Sequence, residues 1–185
     1  TCALALLVLA AACLGLTACA NPVNRVTSER YHDLCTSAER SGRLDVAEQA
    51  CYRALVNVDA GSLGPELKSQ ELYNLARIKR RLSKFDEAET LLKESLELEA
   101  TLPGDRSLNV GRRTVELATN LFAQEKFQEA AATIDRALPV GFGPGRSIAV
   151  ALSGGVDSVA LLHAAVALAG RRQFTVIALH VNHGI

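Results

Sequence analysis

The chain has 185 residues with 20 basic and 20 acidic side chains, so net charge supplies no argument for nucleic-acid binding. Its length allows one or two ordinary domains with real cores. It contains no methionine, so the natural reading frame is expected to start upstream of Thr1.

Residues 3–16 are an almost unbroken apolar run, with no charge before Arg25. The run is short for a membrane span and has the length of a signal-peptide core. Directly after it stands Leu16-Thr17-Ala18-Cys19, which resembles the bacterial lipoprotein processing box. The resemblance implies that residues 1–19 are a lipoprotein-like signal segment, and that Cys19 carries lipid and ties the chain to a membrane. A basic stretch before the run is missing, which again points to a start upstream. The alternative is a buried or membrane-spanning helix that contains cysteine. Of the five cysteines, Cys2 and Cys13 would leave with the signal, and Cys35 and Cys51 fall on two successive expected helices. A periplasmic location would permit a disulfide between them. Spacing alone leaves that open against two reduced, buried thiols.

Residues 28–138 are helical in pattern and repeat themselves. Leu44-Asp45-Val46-Ala47, Phe85-Asp86-Glu87-Ala88 and Phe127-Gln128-Glu129-Ala130 recur, each followed by a small residue and leucine. The alanines Ala47, Ala88 and Ala130 are spaced by about forty residues, the period of helical solenoids. A partner helix precedes each: Tyr31, Leu34 and Cys35 in the first unit, Leu72, Leu75 and Ala76 in the second, Leu117, Ala118 and Leu121 in the third. This pattern resembles tetratricopeptide repeats of the longer, kinesin-light-chain-like variety; an unrelated helical bundle is the alternative. The resemblance implies a curved surface for a protein or peptide partner, and no chemistry of its own. No metal-ligand spacing is present, and His32 beside Asp33 reads as a solvated histidine. Lys79-Arg80-Arg81 with Lys84 reads as a solvated helix face, with an acidic partner site as the alternative.

Arrays of this kind need a polar capping helix, and none is expected after Leu138. Residues 139–146 form a linker, since Pro139, Pro144 and the glycines Gly141, Gly143 and Gly145 end the helix. Beyond it, 148–152 reads as a buried strand, 159–168 as a helix, and 174–181 as a second strand. Gly170 to Gln173 supply the turn between the last two. These elements are one βαβ unit with parallel strands and a right-handed crossover. The fold class is therefore an α-helical repeat array followed by an incomplete α/β parallel-sheet unit over residues 147–185.

Between the first strand and its helix lies Ser153-Gly154-Gly155-Val156-Asp157-Ser158. A glycine-rich turn into a helix aims free backbone N–H groups and the positive helix end at one point, where a phosphate is favoured. The motif lacks the Gly-Lys-Ser/Thr ending of a Walker loop and the dinucleotide Gly-x-Gly-x-x-Gly spacing. It resembles the PP-loop of the N-type ATP pyrophosphatases. The flanks, residues 146–163 and Ala178-Leu179-His180-Val181-Asn182-His183-Gly184, resemble tRNA(Ile)-lysidine synthetase. The resemblance implies ATP and Mg²⁺ as cofactors, with tRNA and lysine as substrates. ATP would activate the C2 oxygen of a wobble cytidine, and the lysine amine would then displace AMP. The loop amides of Gly154, Gly155 and Val156 would approach the phosphates, and Ser153 and Ser158 would donate hydroxyl hydrogen bonds. Asp157 would bind Mg²⁺. His180, Asn182 and His183 would lie at the mouth of the site without an assigned catalytic role.

The two halves imply different compartments: a membrane-anchored periplasmic lipoprotein and a cytoplasmic, ATP-dependent tRNA ligase. Both look cut at their joint. The chain is therefore expected to join two reading frames, whether by genomic fusion, frameshift or assembly error, and to lack ligase activity alone. The competing reading is a repeat-containing interaction lipoprotein with a passenger C-terminal segment.

Overall fold

The computed structural model describes residues 21–153 and 155–180. The signal-like run with Cys2, Cys13 and Cys19, and Gly154, Asn182 and His183, lie outside the described residues. Seven helices and two strands follow in order among them: α1 Pro22–Arg40, α2 Leu44–Ala60, α3 Pro65–Arg81, α4 Phe85–Thr101, α5 Ser107–Ala123, α6 Phe127–Ala137, β1 Ser147–Leu152, α7 Val156–Arg172 and β2 Thr175–His180. None of these helices is long and apolar enough to cross a membrane.

The first helix starts at Pro22, six residues before the expected repeat boundary. Asn21 caps it, its side chain accepting from Val23 N at 3.0 Å, and Pro22 takes a first-turn position where its missing N–H costs nothing. Each hairpin turns by one device. The N–H of Arg43, Lys84 and Lys126 reaches back to the carbonyl of Ala38, Lys79 and Leu121, at 2.9–3.0 Å. The residue before each sits at positive φ: Gly42 at 72°, Ser83 at 60° and Glu125 at 62°. This closes the helix end by a left-handed residue; the second and third repeats adopt it without glycine.

The alanine anchors are buried as the period requires: Ala47 and Ala88 are 0% exposed and Ala130 is 2%. One buried cluster joins Cys35, Ala47, Cys51, Leu72 and Leu75 across the first two repeats. A polar pattern repeats with the apolar one. Ser28 donates to the Ala54 carbonyl at 3.0 Å, and Ser69 donates to the Ser95 carbonyl at 3.1 Å. The basic cluster is internally paired. Lys79 and Lys84 meet Glu48, Arg80 meets Glu116, and Arg81 meets Glu39, at 2.5–3.2 Å. It is thus a seam between repeats, where sequence had suggested a solvated face. Leu34 departs from the pattern at 43% exposure, because among the described residues no helix lies outside α1.

In the linker, Phe142 N bonds Pro139 O and Arg146 N bonds Gly143 O, both at 3.0 Å. A Cβ on Gly143 would meet Arg172 O at 2.8 Å, so this turn lies directly on the end of α7. β1 and β2 pair in parallel, with Ile148 opposite Val176 and Leu152 opposite His180. Two expectations change. Residues 170–172 continue α7, and Gln173 alone, at φ 58°, makes the turn, its N–H bonding Ala169 O at 2.8 Å. Arg171 and Arg172 favour this extension because cations suit a helix C-terminus. The array end is not open either. Helix α7 packs on both α5 and α6, and Ala164, Leu168 and Phe174 share one buried cluster with Leu117, Leu121, Ala130, Ala131 and Ile134.

Candidate functional site

Half of the 153–158 motif is helix. Val156, Asp157 and Ser158 form the first turn of α7, and Gly155 is its N-cap with φ −79° and ψ 159°. Gly155 therefore needs no left-handed freedom. Its contribution is the absent side chain: among the described residues an added Cβ would touch Ser153 Oγ, at 3.5 Å. A glycine cap also leaves the first-turn N–H groups without a side-chain acceptor, where the helix dipole is positive.

The two serines close the turn on itself. Ser158 Oγ donates to Gly155 O at 2.9 Å and accepts from Ser153 N at 3.3 Å. Ser153 Oγ lies 3.4 Å from Ser158 Oγ and accepts from Gly155 N, also at 3.4 Å. Sequence reading assigned both hydroxyls to a ligand and missed this internal role for Ser158. The available signal was a serine in the first helical turn, whose hydroxyl can donate back to the carbonyl three residues earlier. Ser153 and Gly155 are exposed, so the turn faces open space.

His180 ends β2 beside the turn. Its Nδ1 lies 3.2 Å from Leu152 O and ties the carboxyl ends of the two strands together. In open parallel sheets, ligands bind outside those ends. His163 is carried elsewhere, its ring packing 5.5 Å from both Phe122 and Phe127. Among the described residues no group of three or more His, Cys, Asp or Glu side chains is arranged for a metal. A separate cavity of about 770 Å³ lies between α4, α5 and α6, lined by Leu96, Val110, Leu117, Glu129 and Arg136 among others.

Comparison with known proteins gives two family matches. Residues 69–140 match the tetratricopeptide repeat, and residues 123–185 match the PP-loop domain. The two ranges overlap across α6. The chain is 55% identical over 42 residues to a tRNA(Ile)-lysidine synthase of Nitrosomonas europaea, covering 23% of this chain and 9% of that protein. It is 54% identical over 41 residues to a tRNA(Ile)-lysidine synthase of Neisseria gonorrhoeae, covering 22% and 9%. The aligned stretch thus spans about a tenth of each relative's length.

Proposed function

We propose that residues 147–185 are the ATP-holding part of a PP-loop unit of the tRNA(Ile)-lysidine synthetase kind. The observation that carries this reading is the glycine-capped turn from β1 into α7, within the range matched by the PP-loop domain. The amides of Gly154, Gly155 and Val156 would take phosphate oxygens, with the α7 dipole behind them. Ser153 would donate its hydroxyl, and Ser158 would do so after leaving Gly155 O. Asp157, a hard oxygen donor at the helix start, suits Mg²⁺, which when bound neutralises charge on the phosphates. By the same resemblance the partners of the complete enzyme would be tRNA and lysine, and the chemistry adenylation of a wobble cytidine followed by lysine transfer.

Calorimetric titration of the full chain with Mg·ATP tests this. Saturable binding is expected, weakened by about tenfold or more in Asp157→Ala and on chelation of Mg²⁺. Equal affinity in Asp157→Ala, or no binding by the unaltered chain, overturns the reading.

A second reading, a membrane-anchored interaction protein built on the repeats, is favoured by one observation. Cys35 and Cys51 are joined as a disulfide, and such bonds persist outside the reducing cytosol. The residue that would anchor it is Cys19. Labelled palmitate should appear on the membrane-fractionated protein and vanish in Cys19→Ser. An unlabelled protein confined to the soluble fraction would sink it.

A further inference from the structure

The structure assigns α7 a second role: it is the terminal cap of the repeat array, and the open face of the last repeat is built to receive it. The position after each alanine anchor shows the adaptation. In the first repeat it is Glu48, which reaches forward to Lys84 at 2.6 Å; in the second it is Glu89, which reaches Lys126 at 2.9 Å. In the third it is Ala131, 4% exposed and in one buried cluster with Ala164 and Leu168 of α7. A glutamate there would push into the contact with Ala164 and Leu168, at the edge of a cavity that Ala131 shares with His163 and Arg171 of α7.

Three further contacts fix the seam. The Arg172 guanidinium holds Asp135 twice, Nε to the carboxylate at 2.6 Å and Nη2 to the backbone carbonyl at 3.0 Å. The Phe122, Phe127 and His163 rings pack edge-on or tilted, with centroids 4.9–5.5 Å apart, so that one ring comes from each of α5, α6 and α7. Phe142 of the linker meets Phe174 at 5.3 Å on the far end. On the packed side α7 presents Ala160, Ala164 and Leu168, each at most 3% exposed, while Val159 and Val166 point away at 48% and 57%. Small residues at this spacing let the helix lie close. Because a solenoid's stability passes between neighbours, a cap acts on the adjoining repeat first.

Hydrogen exchange of the full chain tests this with Leu168→Ala and Ala131→Glu. Loss of the seam should speed exchange in α5 and α6 by about tenfold or more, with α1 and α2 unchanged. Val166→Ala, on the outward side, should alter neither. Faster exchange confined to α7 and the strands would overturn the proposal. So would an equal rise in all six array helices, since that marks one cooperative core and no terminal cap. Leu168→Ala, the milder change, keeps the test decisive if Ala131→Glu does not fold.

Discussion

Glu99→Ala is expected to destabilise the array by about 3–5 kcal/mol, the scale of breaking a buried ion pair from one side. Glu99 is 1% exposed on α4 and draws together three neighbouring segments. Ser69 of α3 donates to Oε1 at 2.9 Å, and Arg106 of the following loop donates to Oε2 at 2.9 Å. Arg113 of α5, also 1% exposed, places Nη2 3.0 Å from Oε1 without hydrogen-bond alignment. Its Nε donates to Ser95 Oγ at 2.7 Å, and its guanidinium lies 5.1 Å from the Tyr73 ring centroid. Removing the carboxylate leaves that guanidinium buried without its counter-charge. Surface pairs such as Arg25–Glu29, about 60% exposed on both sides, contribute at most about 1 kcal/mol by contrast.

The same carboxylate makes the array sensitive to acid. Burial pushes the Glu99 pKa up, but hydrogen bonds from Arg106 and Ser69 and the Arg113 charge outweigh it, and the net shift is below the ordinary 4.5. A lowered carboxylate contributes its full stability above 4.5, and that contribution is lost as pH falls through the folded value. Glu99→Gln should therefore cost less than Glu99→Ala and flatten the acid limb of the stability curve. Urea unfolding from pH 7 downward, followed by circular dichroism, measures both effects. A loss below about 1 kcal/mol in Glu99→Ala would show that the network is worth no more than surface pairs.

The repeat was legible because its anchors are periodic and small. Ala76, Ala88, Ala118 and Ala130 all proved buried, and the three hairpins fell where Leu44, Phe85 and Phe127 placed them. The Ser69–Ser95–Glu99–Arg113 network was not legible, since serine, glutamate and arginine on a helix read as solvent-facing. Its one sequence trace is that Ser69 repeats Ser28, while Ser95 stands where the first repeat has Ala54. The 153–158 motif was legible as a turn between strand and helix, yet periodicity set the helix start three residues late. Val156 is the one apolar residue among the first three of the helix, too few to set a period, and the glycine cap itself begins the helix. The packing of α7 on the array escaped for a different reason. Alanines at 160, 164 and 165 suit a sheet or a helix partner equally, and only the third-repeat substitution of glutamate by Ala131 hinted at the second.

Loss of the Cys35–Cys51 bridge is expected to destabilise the first repeat by about 3 kcal/mol, the chain-entropy value for a loop of this size. The two residues are 16 apart, with Cα atoms separated by 5.1 Å, inside the range a disulfide spans. Both are buried, at 3% and 0% exposure, between α1 and α2. The other repeats supply the right replacement. At the equivalent positions the second repeat holds Ala76 and Leu92, and the third holds Ala118 and Ile134, all within buried clusters. Cys35→Ala/Cys51→Leu thus restores the array's own apolar pairing and nearly conserves volume, so its deficit isolates the tether from any cavity. Thermal melting with and without dithiothreitol reads it. Reductant should lower the unaltered chain toward the double variant and leave the double variant where it is. The effect should concentrate in α1, whose outer side carries Val23, Val26 and Leu34 at 43–69% exposure and which leans on α2 for most of its packing. An unaltered chain that melts identically in both conditions, with Cys35 and Cys51 both alkylated without reductant, would remove the bridge and with it the support for an oxidising compartment. A bridge found intact in protein taken from cells would instead place the first repeat where tRNA and ATP are not.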